Sequence, residues 1–207
     1  MSEIVSREQL FVASFTAFAG FQRIASGTLV EVAEVVKAYV DTHPESSVLI
    51  FHNSDSQVVD IDFRGSVYDV IARVKRRDSQ DEATVQLIES LKQEPQGAGR
   101  PRLGVVAREV TLLPRHWDWL NRQPGGASVA LRRLVEDARR LNNGKDRERE
   151  SQETTYRFMS AIAGDLPGFE EALRALFAGN AGLFRAITTD WPVDVREHSL
   201  KLAADAF

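Results

Sequence analysis

The residues able to do chemistry are few and scattered. Asp60 and Asp62 alternate along a β-prone run, with Asp55 just before it. Carboxylates paired in this way can hold Mg²⁺ or Ca²⁺. No third ligand follows at loop spacing, and Arg64 shares their side of the run, so a solvated, salt-bridged face is expected instead. His43, His52, His116 and His198 have no metal-ligand spacing. His116, between Arg115 and Trp117, reads as a surface histidine within reach of a phosphate. The chain has no cysteine, which excludes disulfides, thiolate nucleophiles and cysteine-held metals. No Gly-rich phosphate loop, nucleophile elbow or metal motif is present. The expectation is a protein that is not an enzyme and holds no cofactor or metal. Ser128 with Arg132 and Arg133 is the remaining group. A helix start plus guanidinium groups can bind an anion; a capped helix with a solvated arginine face is the equal alternative.

That last group sits in the stretch from Arg108 to Arg140, which has its own order of elements. Val110 to Leu113 is β-prone and stops at Pro114, a residue suited to a first helical turn. A short helix follows, with Trp117 and Leu120 one turn apart. Trp117, Trp119 and Trp191 read as core or interface side chains, and Trp117 and Trp119 cannot both face one core. Pro124, Gly125 and Gly126 break the helix, and Ser128 stands where an N-cap belongs. Leu131, Leu134, Val135, Ala138 and Leu141 then give one apolar helix face. The net charge of −4 is segregated: residues 1–99 carry −6, 100–141 carry +5 and 142–207 carry −3. A local positive excess attracts polyanions.

The rest of the chain positions this stretch. At 207 residues, 43% hydrophobic and 27% charged, its composition is that of a globular protein. No apolar run approaches the roughly 20 residues that cross a bilayer, so no membrane partner is expected. The opening residues carry Glu3 and Glu8 and no apolar core, so no secretory leader is expected and a cytoplasmic location is. Phe15–Phe18 and Phe21–Ser26 read as strands around Ala19-Gly20. Thr28 and Glu31 form a capping-box pattern before a helix through Val40. Val48–Phe51 reads as a buried strand, and Val59, Ile61 and Phe63 as a half-buried one. A helix from Val67 is expected to end at Lys75-Arg76-Arg77, with a further helix over 78–94. The predicted class is α+β. Its parts are a ββαββα-like N-terminal domain over 1–94, a linker at 95–102, a strand–helix–helix unit over 103–141, a charged linker or frayed helix end at 142–153, and a C-terminal helical bundle over 154–207. In the last part Asp165 and Asn180 read as helix caps. A small-molecule sensor in those helices has no residue-level support.

Two resemblances follow. Leu113-Pro114, Gly125, Ser128, Ala130-Leu131-Arg132-Arg133-Leu134-Val135 and Ala138 resemble a ribbon–helix–helix unit. The resemblance implies a homodimer formed through Val110, Leu112, Leu113, Trp117, Leu131, Leu134, Val135 and Ala138. It also implies transcriptional regulation through duplex DNA, with the ribbon in the major groove. Arg108, Ser128, Arg132 and Arg133 would contact the DNA. By register from Leu113-Pro114 the outward positions are Arg108, Val110 and Leu112, and the inward ones Glu109, Thr111 and Leu113. Aliphatic side chains touch a thymine methyl but read no donors or acceptors, so a protein-interaction module on the same scaffold stays open. The whole chain resembles an uncharacterised bacterial family, DUF2239, through RPRLGVVAREVTLLPRHWDWL, GGASVALRRLVEDAR, YRFMSAIAGDLPGFEEALRALF and WPVDVREHSLKLA. That family implies no activity.

Overall fold

The computed structural model describes residues 14–91 and 108–207. Among them are three strands and seven α-helices: β1 (Phe15–Ala19), β2 (Gln22–Gly27), α1 (Leu29–Thr42), β3 (Val48–His52), α2 (Val67–Leu91), α3 (Pro114–Asn121), α4 (Gly126–Ile162), α5 (Phe169–Phe177), α6 (Ala181–Ile187) and α7 (Val193–Leu202). Short 3₁₀ turns occupy Thr188–Asp190 and Ala203–Asp205. The α+β class read from the sequence holds. The linker read at 95–102 and the first residues, 103–107, of the strand–helix–helix unit lie outside the described residues.

Two compact units divide the chain: Met1–Thr84 with Arg147–Phe207, and Val85–Asp146. The C-terminal helices therefore share a unit with the N-terminal sheet instead of forming a segment of their own.

In the first unit the sheet is antiparallel, in the order β2-β1-β3. Gly20, at φ +55°, makes the tight β1–β2 connection. Central β1 is buried on both faces. Phe15 and Ala17 join Leu29, Val32, Val36, Ile50, Val70 and Val74 in one apolar cluster. Phe18 joins Phe51, Phe158, Met159, Leu176 and Phe184 in another. Cβ directions alternate along a strand, so α1 and α2 cover one face and the C-terminal helices the other. The capping box at α1 forms as read: Glu31 N–H donates to Thr28 Oγ1, and Thr28 N–H to Glu31 Oε2. Asn180 caps α6 by accepting from Leu183 N–H at 3.0 Å. Asp165 is not a cap; the N-cap of α5 is Gly168, left-handed at φ +74°.

Three other expectations are corrected. Residues 59–63 form no strand; pairing stops at a single bridge between Val58 and Phe51. Their carbonyls serve the arginines of α2 instead: Arg73 donates to the oxygens of Asp62 and Arg64, and Arg77 to that of Asp60. The N-terminal order is thus ββαβα. Second, α2 does not end at Arg77 but runs to Leu91 as one helix, because no glycine or proline stops it. Ser66 and Asp69 box its start, a signal the apolar pattern did not show. Third, residues 142–153 are not a linker but the middle of α4. Glu, Lys, Arg and Gln are strong helix formers, and this stretch lacks apolar residues without lacking helix propensity.

Gly144 sits in that helical stretch with open space where a Cβ would be. Gly144→Ala is expected to stabilise the fold by roughly 0.5–1 kcal/mol, read as a higher urea midpoint at unchanged slope. A lower midpoint would show that position 144 needs glycine's freedom.

Candidate functional site

In the unit Val85–Asp146, the expected ribbon residues 108–113 take no strand partner within the described chain. Only Leu112 of the six is half-buried, so the expected inward and outward alternation is not expressed in burial. Leu113 is the extended N-cap of α3, with Pro114 opening the helix. Trp117 is half-buried and Trp119 exposed. His116 is on the surface.

Ser128 is not the cap of α4. Gly125 and Gly126, at φ +83° and +75°, turn the chain into the helix two residues earlier, and glycine serves at that position. Ser128 lies in the first turn, where its carbonyl accepts from Arg132 Nε–H at 3.1 Å. Its amide remains one of the free donors of a helix start. Arg108, Arg132 and Arg133 are exposed. By helical geometry Arg132, Arg133, Arg139 and Arg140 lie opposite Leu134, Ala138 and Leu141. Arg139 is paired with Glu136 at 3.2 Å.

The apolar face of α4 has no cover among the described residues. Leu134 and Ala138 are exposed, Val135 is 57% and Leu141 81% exposed, and Leu131 is half-buried. The buried apolar residues described in this unit are Leu120 and Ala130 alone.

The first unit holds a different site, which the sequence reading missed. An open cleft of about 270 Å³ lies between the turn after β3, α4 and the chain's last helical turns. Arg147, Glu150, Ser151 and Thr154 line it from α4, spaced i, i+3, i+4 and i+7. His198, Lys201, Leu202 and Asp205 line it with the same spacing, so each set forms one helical stripe. Ser151 Oγ–H donates to Leu202 O at 2.6 Å, and Thr154 Oγ1–H to Ser54 O at 3.3 Å. His198 is 2% exposed, its ring packed edgewise on Phe18 and Phe158, and its Nε2 has no hydrogen-bond partner. Burial, reinforced by the nearby cations Lys201 and Arg23, pushes this imidazole down to about 4. Polar stripes give no hydrophobic periodicity, which is why the pattern of the sequence did not reveal the cleft.

The other chemistry-bearing residues have local roles. Asp62 accepts from Arg64 and lies near Arg73, so its carboxyl is held well below the usual range, chiefly by the Arg64 side-chain hydrogen bond. His43 stacks on Tyr39. Ser54, His52 and Asp55 approach the composition of a hydrolytic triad. Ser54 Oγ at 2.7 Å and Asp55 Oδ1 at 3.3 Å both meet His52 Nδ1, however. Relay chemistry needs them on opposite ring nitrogens.

His198 makes stability depend on pH. Its neutral form suits the fold, and its folded value lies below the ordinary 6.5. The stabilisation is complete above pH 6.5 and is lost as the pH falls toward 4. His198→Leu should therefore flatten the decline in urea-unfolding free energy from neutral pH to about 5. An equally steep decline in the variant would show that the ring is not the group being protonated.

Residues 14–203 match a family described as an uncharacterised protein conserved in bacteria, DUF2239. No curated protein and no solved structure matches the chain. With nearly its whole length covered by that match, the chain belongs to the DUF2239 family of uncharacterised bacterial proteins.

Proposed function

We propose that this chain is a non-enzymatic homodimer that binds duplex DNA through a ribbon–helix–helix surface. The observation that carries the reading is the uncovered apolar surface of the unit Val85–Asp146. Val110 is 54% exposed, and Leu134, Val135 and Leu141 are exposed on α4. Among the described residues of this unit only Leu120 and Ala130 are buried apolar side chains. A second copy supplies the missing cover, since a two-fold interface sets the same patch on both subunits. Residues 108–113, which take no strand partner among the described residues, pair with their copy; Val110, Leu112, Leu113, Trp117, Leu131, Leu134, Val135 and Ala138 form the contact. Arg108, Arg132, Arg133 and the α4 amides around Ser128 meet phosphate.

A second reading rests on Val110 and Leu112. Aliphatic residues at the outward ribbon positions read thymine methyls at most. They suit a protein partner on the same dimer scaffold.

Light scattering at two salt concentrations is expected to give a dimer at both, because apolar burial is not screened by salt. Val135→Glu should give a folded monomer. A monomeric parent protein would remove the ribbon dimer and the DNA reading with it. For duplex of mixed sequence, binding should fall steeply with salt. The Arg132→Ala/Arg133→Ala double variant should lower the log–log salt slope by about 2. An unchanged slope would displace these two arginines from the site. A dimer with no affinity for duplex at low salt would select the protein-partner reading.

A further inference from the structure

We infer that the cleft between α4 and the chain's last helical turns binds a small zwitterion of the α-amino-acid class. Arg147 and Lys201 receive its carboxylate, and Glu150 and Asp205 its ammonium group. This inference concerns the first unit and is independent of the DNA-binding reading.

The charges on the walls are balanced and uncommitted. Arg147 stands three residues from Glu150, and Lys201 four from Asp205, spacings at which helical side chains pair. Among the described residues none of the four is in an ion pair or a side-chain hydrogen bond. Each wall thus presents one free cation and one free carboxylate. A simple anion would meet Glu150 and Asp205, and a simple cation would meet Arg147 and Lys201. A molecule carrying both charges satisfies both walls.

The uncharged groups agree. Ser151 and Thr154 have donated their hydroxyl hydrogens to Leu202 O and Ser54 O. Toward the cleft they offer only lone pairs, which suit an N–H donor rather than an anion. His198 lines the same cleft, is 2% exposed and has an unpartnered Nε2. A buried polar atom without a partner requires an explanation such as a water or ligand. Being neutral at physiological pH, the ring leaves the charge balance of the walls unchanged. At about 270 Å³ the cleft falls just below the range of about 300–1,000 Å³ typical of drug-sized sites, which limits the occupant to a small metabolite.

Thermal unfolding and calorimetry of the full chain test this, with each common L-α-amino acid as probe. Acetate, inorganic phosphate and ethylamine serve as singly functional controls. At least one amino acid should bind and raise Tm by mass action, with every control weaker by about tenfold or more. Glu150→Gln and Lys201→Met should each weaken that binding by about tenfold. Both side chains are exposed and unpaired, so Tm without ligand should stay at the parent value. Should either variant fail to fold, Asp205→Asn or Arg147→Met takes its place. The inference is overturned if no amino acid binds up to about 10 mM, if any control binds as tightly, or if either folded variant binds as the parent does.

Discussion

Three aromatic rings hold the first unit together. Phe18 of β1, Phe51 of β3 and Phe158 of α4 meet at centroid distances of 5.2–6.3 Å, all nearly fully buried. Edge-on contacts of this kind add to the large apolar area each ring removes from water. They also join parts of the chain separated by more than a hundred residues. Without Phe158, Phe18 and Phe51 would lose the ring that packs against both, leaving a void between the sheet and the C-terminal helices. The polar neighbours follow from this contact. Thr154 and Arg157, within one turn of Phe158, donate to the carbonyls of Ser54 and Asp55, fixing the turn that forms one wall of the cleft. His198, packed on the same rings, is held in the opposite wall.

One helix, α4, passes through three environments, each with its own composition. Its first turns carry leucine and valine on an exposed face, its middle is charged and solvated, and its end is buried in the first unit. Helix formation needs only backbone hydrogen bonds and residues tolerant of the helical well, so continuity does not require a continuous apolar stripe. The middle is supported by helix formers and local pairs such as Gln152 with Glu148 and Arg157 with Glu153.

The two units pose opposite problems. In the first, both faces of the central strand are covered, and the open feature is a polar cleft whose four charged side chains have no ion-pair partner among the described residues. In the second, the open feature is apolar: Val110, Val135 and Leu141 face solvent. Uncommitted charge in a concave site suits a small charged molecule, whereas uncovered aliphatic surface suits another protein surface.

The sequence by itself determined what is local. The Thr28–Glu31 capping box, the Asn180 cap, the strands around Gly20 and the start of α3 at Pro114 all rest on contacts between residues a few positions apart. The chemistry of those residue types settles such contacts before any tertiary packing. The salt-bridged reading of Asp62 and Arg64 was legible for the same reason. Tertiary structure decided the rest. Residues 59–63 alternate like a strand, yet Arg73 and Arg77 of α2 take their carbonyls. The cleft brings Asn53, Arg147 and His198 together from distant parts of the chain. Most of its residues are polar, and the aromatic contacts beneath them, with the Ser151 and Thr154 hydrogen bonds, set their spacing. Apolar periodicity records which face of an element is buried. It carries no record of which charged faces the packed elements bring opposite one another.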